Sequence, residues 1–193
     1  MRKDHPLVVV LILITLGNWL VGCQHFSGHD KIEEFIKTRV EIIKSKIDNH
    51  DIMGAQMDLT PLLREFPDRA ELHTLSGFIN MTLGNHQRAI EKMIDAHELE
   101  PSPGSYLNLS SAYIASKQFG KARELIKQGI RLGKEENFIH LGRFYHNLGY
   151  VDEITGKHKR AIEQYKTALY HIPGYILTLD RLTRLLERID RHD

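Results

Sequence analysis

The chain has 193 residues and carries 26 lysines and arginines against 25 aspartates and glutamates, a formal net charge of +1. This balance excludes the broadly basic surface that nucleic-acid binding requires. Its single cysteine excludes a disulfide framework. The length is sufficient for one domain with a sizeable hydrophobic core.

The N-terminal segment has the pattern of an export signal. It begins "MRK", continues as ten apolar or near-apolar residues at 7–16, and reaches a small residue just before Cys23. This order predicts a secretory signal peptide over residues 1–22. A retained membrane-spanning helix is the alternative, but it requires roughly 18 or more apolar residues in succession, and Gly17 ends this run.

The four residues "LVGC" that end at Cys23 resemble the bacterial lipobox. The resemblance implies that diacylglycerol is attached to the Cys23 sulfur and that cleavage leaves this cysteine as the first residue. Cys23 is therefore expected to be a lipid anchor, and residues 23–29 a short lipidated tether. In the resembled lipoproteins an aspartate after the cysteine retains the protein in the inner membrane. Gln24 therefore implies the bacterial outer membrane, with the domain facing the periplasm.

The sequence after the tether is self-similar, with a step of 33 and then 39 residues. Four columns of the repeat hold one kind of side chain each: small at Gly77, Ser110 and Gly149, alanine at Ala89, Ala122 and Ala161, small at Ala96, Gly129 and Ala168, and bulky at Met93, Ile126 and Tyr165. Each unit is predicted to form two helices that cross closely at the small residues. The predicted units are 36–69, which is degenerate, and 70–102, 103–141 and 142–175.

Local signals predict where some helices begin and end. The spacings Asp68–Glu71 and Asp30–Glu33 are typical of capping boxes at helix N-termini. Pro61 predicts a kink in the second helix of the first unit. The longer repeat step adds about six residues at Gly133–Phe138, which predict a longer first helix in the last unit.

The repeated stretches resemble the tetratricopeptide repeat, a helix-turn-helix module. The matching stretches are "YLNLSSAY" with "KAREL", "LG" with "RAIEKMIDAHELEP", and "YHNLG" with "RAIEQYKTALYHIP". The resemblance implies an all-α solenoid of about four helix pairs over residues 30–175. Residues 176–193 have leucines at helical spacing with arginines opposite, which predicts a C-terminal capping helix.

The resemblance also implies that the first helix of each unit lines a concave binding groove. The positions carried over are Thr74, Phe78, Met81, Leu107, Asn108, Ser111, Ile114, His146, Asn147 and Tyr150. They are mostly apolar or aromatic with amides between, and they lack the lysines and arginines with which some family members bind a terminal carboxylate. We therefore expect an apolar or amphipathic peptide segment in the groove. The alternative is that Phe78, Leu107 and Ile114 pack between helices as core.

No arrangement of residues in the sequence predicts catalysis. The patterns "GxSxG" and "HExxH" and a phosphate-binding glycine loop are absent. His25 and His29 have the spacing of one helix face but lie in the tether, and His140 and His146 are six residues apart. Because neither pair has a paired carboxylate, we expect no metal, no cofactor and no enzyme activity.

The anchor and the repeats together predict a membrane-anchored periplasmic adaptor or assembly factor whose groove binds a protein or peptide segment. Short lipoproteins of this architecture resemble the type IV pilus pilotins, which implies a secretin or another pilus component as the partner. A scaffold for cell-wall (peptidoglycan) enzymes, a self-associating structural scaffold and an enzyme with an unrecognised site are the alternatives.

Overall fold

The computed structural model describes residues 28–191, and within that range nine α-helices and no strands are present. The predicted all-α class is therefore confirmed. In chain order the helices are α1 (Gly28–Asp48), α2 (Ile52–Glu65), α3 (Ala70–Thr82), α4 (His86–Leu99), α5 (Pro103–Ala115), α6 (Phe119–Glu135), α7 (Leu141–Ile154), α8 (His158–His171) and α9 (Ile176–Asp190).

The chain divides into two compact units, one that ends at Lys37 and one that starts at Thr38. Of the first unit the structure describes residues 28–37, where the His29 Nε2 and Glu33 Oε1 atoms lie 3.8 Å apart. The predicted signal segment and Cys23 lie outside the described residues.

The second unit is built from helix pairs that contact their neighbours in chain order. Helix α3 packs on α4, α5 on α6 and α7 on α8, while α4–α5, α6–α7 and α8–α9 contacts join successive pairs. The first helices also lie side by side, because α3 contacts α5 and α5 contacts α7. At the N-terminal side, an ion pair of 2.7 Å between Lys46 Nζ and Asp58 Oδ2 joins α1 to α2. This order of contacts is that of a helical solenoid.

The two helices of a pair cross closely at the predicted small residues. A Cβ added to Gly77 would lie 2.7 Å from Met93 Cε, and one added to Gly149 would lie 2.7 Å from Tyr165 Cδ1. The bulky column is almost fully buried, with Tyr165 at 0% exposure. A larger side chain at the crossing would therefore hold the helices apart, and the predicted crossing at Gly77 and Gly149 is confirmed.

The turns inside the pairs share a backbone feature. Each contains a residue with a left-handed φ: His50 (63°), Gly84 (75°), Lys117 (62°) and Gly156 (73°). The left-handed region reverses the chain tightly after a helix but is costly for residues other than glycine. These turns form one edge of the solenoid, called here the turn edge. The linkers between pairs form the other edge, called the linker edge.

Helix starts differ from the capping-box predictions. Helix α3 begins at Ala70, its N-cap is Arg69, and no side chain caps it. The backbone amides of Leu72 and His73 donate to the Arg69 carbonyl, so Asp68 stands outside the helix and the predicted cap at Asp68 is wrong. Helix α1 is already helical at Gly28, the first described residue, which lies inside the predicted tether and before the predicted cap at Asp30. Asp30 instead lies in the first turn, where a carboxylate favours the positive end of the helix.

The residues inserted into the longer repeat step extend a different helix from the one predicted. Helix α6 has 17 residues, whereas the first helix of the last pair, α7, has 14. Phe138 and Leu141 fold back against the core cluster that contains Leu107 and Phe144, which ends the extended helix and fixes the linker. In the first pair, α2 continues through Pro61 because its buried face holds it in place.

Candidate functional site

The ten predicted groove residues lie on α3, α5 and α7, the three first helices that run side by side. Leu107 is buried, with 3% exposure, and the other nine are partly buried. The structure therefore brings the positions together on one helical layer. Whether they bind a partner stays a prediction.

On α3 the candidates Phe78 and Met81 pack against a core cluster formed by α4 and α5. That cluster contains Ile90, Met93, Leu109 and Ala112. Because both side chains are only partly buried, part of each remains on the surface. Thr74, one turn before Phe78, is partly buried as well.

On α5 the candidates divide between core and surface. Leu107 belongs to the buried cluster around Ile126 and Phe144, and Ile114 packs against the same cluster. Core packing therefore describes Leu107 better than a groove role does. Asn108 and Ser111 are partly buried.

A hydrogen bond joins two groove candidates across neighbouring helices. The Asn147 side-chain amide Nδ2 on α7 donates to the Ser111 Oγ on α5 at 3.1 Å. Ser111 Oγ in turn donates to the Leu107 carbonyl at 2.8 Å. This chain of bonds holds α5 and α7 at a fixed separation in the centre of the candidate groove.

On α7 the remaining two candidates contact the C-terminal helix α9. His146 Nδ1 shares a hydrogen bond of 2.8 Å with the hydroxyl of Thr178, which is fully buried. The Arg181 guanidinium lies over the Tyr150 ring, 4.5 Å from its centroid. Burial, assisted by the charges of Arg181 and Arg143, lowers the pKa of His146 from 6.5 to about 4. At this end of the groove α9 therefore engages two of the predicted binding residues.

Two acidic residues that were not predicted, Asp152 and Glu153, are buried at the end of α7. Glu153 accepts a hydrogen bond of 2.7 Å from the Tyr165 hydroxyl. It also lies 3.4 Å from Arg188 Nη2 and 3.7 Å from Arg181 Nη1, both on α9. Burial and the bond to Glu153 raise the pKa of Tyr165. Glu153 thus holds α9 against the last helix pair.

Asp152 is fully buried and links three helices. Its Oδ1 lies 2.7 Å from Arg123 Nη1 on α6, as an ion pair whose geometry is not that of a hydrogen bond. Its Oδ2 lies 3.6 Å from Arg160 Nε on α8. The sequence contained one indication of this site. Asp152 occupies the repeat position that holds Asn80 and Tyr113 in earlier units, and all three residues carry a polar group.

In the part of the chain that the structure describes, no group of three histidine, cysteine, aspartate or glutamate side chains could hold a metal ion. Residues 28–191 also contain no helix long and apolar enough to cross a bilayer. His25 lies outside this range.

Comparison with known sequences finds the same repeat. The profile of the tetratricopeptide repeat matches residues 103–134 and 142–173. Human tetratricopeptide repeat protein 13 is 28% identical over 172 residues, 86% of this chain and 19% of that protein. The uncharacterized protein ycf37 of Cyanophora paradoxa is 34% identical over 84 residues, 42% of this chain and 47% of that protein. The chain thus spans a fifth to a half of the length of these relatives.

Solved structures share the fold. The pilF protein of Pseudomonas aeruginosa matches with a TM-score of 0.72 at 16% identity, over 82% of this chain and 71% of that one. MamA matches with a TM-score of 0.61 at 25% identity, over 77% and 85% of the two chains. The TPR2AB domain of yeast Sti1, solved in a complex with an Hsp90 peptide, matches with a TM-score of 0.59 at 18% identity, over 64% and 48%. The predicted tetratricopeptide-repeat solenoid is therefore confirmed.

Proposed function

We propose that this chain, a tetratricopeptide-repeat protein by its fold and its two matching repeats, is a membrane-anchored periplasmic adaptor that binds a protein partner in its concave groove. Domains of this fold bind peptide and protein partners, as the Sti1 domain does with an Hsp90 peptide. Tetratricopeptide-repeat proteins are generally interaction scaffolds rather than enzymes. The proposal places the interaction on α3, α5 and α7.

The observation that carries the groove proposal is the Ser111–Asn147 hydrogen bond between partly buried side chains of two first helices. A groove whose walls are held at a fixed separation loses little conformational entropy when a peptide enters it. Apolar surface from Phe78 and Met81 beside these polar groups suits a segment with one apolar face. We therefore propose an amphipathic or apolar peptide segment as the occupant.

The lipid anchor and the pilus role are proposed from the sequence, not from the groove geometry. Cys23 after "LVG" supports lipidation, and Gln24 supports the outer membrane as the location. A pilus or secretin role is supported by the resemblance of the lipobox and repeats together to pilotins. The likeness to the pilF protein, at 16% identity, supports the fold alone.

The experiment that tests the adaptor role is a crosslinking pull-down of the full chain from its native envelope, beside the Cys23→Ala form. Recovery of a secretin or pilus component with the wild-type chain only would support the proposal in full. Recovery of wall hydrolases or synthases would replace the pilus role with a scaffold for peptidoglycan enzymes. If both forms recover the same proteins, the anchor has no part in the function.

The groove itself is tested with Phe78→Glu and Ser111→Arg, and with Met57→Glu as the matched control. Met57 lies on α2, is 74% exposed and is outside the groove candidates. We expect both groove variants to lose the recovered partner while their helical circular dichroism is unchanged, and Met57→Glu to retain it. Loss of helical signal in Phe78→Glu would show that Phe78 is core. Full retention by Ser111→Arg would contradict the groove.

A further inference from the structure

Four large apolar side chains are strongly exposed at the linker edge of the last two helix pairs. Ile139 is 79% exposed, Tyr170 82%, Ile176 77% and Leu177 62%. They come from the α6–α7 linker, the end of α8 and the start of α9. Single exposed apolar residues are ordinary, but a cluster of this kind marks an interaction surface.

The three segments that carry these side chains lie against one another. A Cβ added to Gly142, at the start of α7, would lie 2.7 Å from Ile172 Cγ1, just after α8. The Tyr145 and His171 rings stack with centroids 5.3 Å apart, and the His146 and Tyr175 rings lie 5.1 Å apart. The four exposed side chains therefore stand on adjoining segments of the linker edge, and together they are called here the linker patch (Ile139, Tyr170, Ile176 and Leu177).

The side chains of the linker patch protrude from the surface. Its members stand on a linker and at helix ends, so they offer no trough in which a partner helix could lie. Beside the turn edge, Leu83 is 39% exposed and Ile154 48%, whereas Met53 at the start of α2 reaches 62%. Protruding aliphatic side chains with a tyrosine among them are typical of residues that sit in the interfacial layer of a bilayer.

We propose that the linker patch inserts into the headgroup layer of the membrane that holds the lipid anchor, a step that rests on the proposed lipidation of Cys23. Five peptide steps separate Cys23 from Gly28, the first described residue of α1, and even fully extended they span at most about 18 Å. The N-terminal end of α1 is then held within that distance of the lipid. One anchor fixes a protein to a membrane without orienting it, and a second contact would fix which edge faces the bilayer.

The test places a spin label on the patch and measures its depth. Full chain is recovered from the membranes of producing cells and reconstituted into vesicles of phosphatidylethanolamine and phosphatidylglycerol. Because lipidation consumes the single native thiol, Leu177→Cys carries the only label. Met57→Cys, at an apolar position on α2 that is 74% exposed against 62% for Leu177, is the matched control. The depth of each label is read from its collision rates with two probes. One is oxygen, which concentrates in lipid, and the other is a water-soluble nickel chelate.

We expect the label at 177 to collide mainly with oxygen and the label at 57 mainly with the nickel chelate. Chelate access at both positions in chains that float with the vesicles would overturn the inference and leave the anchor intact. Oxygen access at both positions would also overturn it, because adsorption would then have no preferred edge. A disulfide-linked dimer through residue 177 would assign the patch to a second copy instead. Chains that neither float nor show a lipid mass at residue 23 would refute the anchor, and with it this inference.

Discussion

Lys117 has a backbone conformation that is unfavourable for any residue with a side chain. Its φ of 62° lies in the region where the equivalent turns carry Gly84 and Gly156. A non-glycine residue pays about 1–2 kcal/mol there, while glycine adds about 0.5–1 kcal/mol of unfolded-state entropy. Lys117 is exposed, so replacing it removes no buried contact.

We therefore predict that Lys117→Gly raises the free energy of unfolding by about 0.5–1 kcal/mol. Urea titration followed by circular dichroism measures the change. Lys127→Gly is the control, because Lys127 lies inside α6 and glycine there is expected to lower stability by about 1 kcal/mol. Equal losses in both variants would show that the turn does not need the left-handed conformation.

Asp152 is a fully buried charge that lies beside the partly buried Arg123 and the exposed Arg160. Removing one member of such a pair leaves the other charge without its partner, which costs about 3–5 kcal/mol, whereas replacing both with apolar groups is often neutral. Arg123 is the partner whose side chain is 15% exposed, so its charge would stay in a poorly hydrated place.

We predict that Asp152→Leu lowers the free energy of unfolding by about 3 kcal/mol and that Asp152→Leu combined with Arg123→Met recovers most of that loss. Urea unfolding gives the free energy of unfolding of the wild type, the two single variants and the double variant, which together form a double-mutant cycle. A double variant as unstable as the sum of the single variants would mean that the pair is not coupled.

At the scale of the elements, the glycines at the helix crossings meet partners of different stiffness. Gly77 faces the end of the flexible Met93 side chain, whereas Gly149 faces the Tyr165 ring. That ring cannot move freely, because its hydroxyl donates to Glu153. The same substitution is therefore accommodated by a thioether at one crossing and opposed by a hydrogen-bonded ring at the other.

We predict that Gly149→Ala lowers the free energy of unfolding by about 1–2 kcal/mol. Gly77→Ala is expected to be neutral within about 0.5 kcal/mol, because its gain in helix propensity offsets the shift of Met93. Thermal unfolding of both variants, with the wild type measured in parallel, distinguishes the two sites. Equal losses at both sites would show that the partner side chain does not decide the cost.

The element boundaries show what the sequence could and could not predict. The small and bulky columns recur at a fixed step, so the crossings at Gly77 and Gly149 and the number of helix pairs were predictable. The end of α6 was not, because it depends on Phe138 and Leu141 packing on a core cluster that the local sequence does not reveal. The start of α3 was missed because a backbone carbonyl, that of Arg69, accepts the first amide bonds in place of a side chain.

The candidate site was predictable only in part for a related reason. Repeat register placed all ten positions on α3, α5 and α7, but it carries no information on what covers them. The contact of His146 with Thr178 joins residues 32 positions apart, and no local sequence pattern predicts it. The buried Asp152 and Glu153 were missed because charged residues inside an amphipathic helix are ordinarily assigned to its solvent face.

For the whole molecule, the low pKa of His146 couples stability to pH. The folded chain keeps this ring neutral down to a pKa of about 4, whereas the unfolded chain protonates it near 6.5. Above pH 6.5 both states are neutral and the stability is unaffected. Between pH 6.5 and 4 the unfolded state binds more protons, so stability falls as the pH falls.

We predict that this group alone removes about 2 kcal/mol of unfolding free energy between pH 7.5 and pH 5. His146→Gln, which keeps a polar group opposite the Thr178 hydroxyl, is expected to lose about 2 kcal/mol less than the wild type over that range. Urea titrations at the two pH values measure both losses. The same pH dependence in both proteins would mean that His146 does not titrate between them.

In the part of the second unit that the structure describes, the helix pairs make their main contacts with their neighbours in chain order. This arrangement affects how the molecule unfolds locally. In such arrays stability is roughly a sum of local and nearest-neighbour contributions. Opening can then begin at one end and stop at a strong junction, and the contacts of Asp152 and Glu153 make the α6–α9 region such a junction. Amide hydrogens would exchange in a gradient along the chain, and one end of the solenoid could fray while the other stays closed.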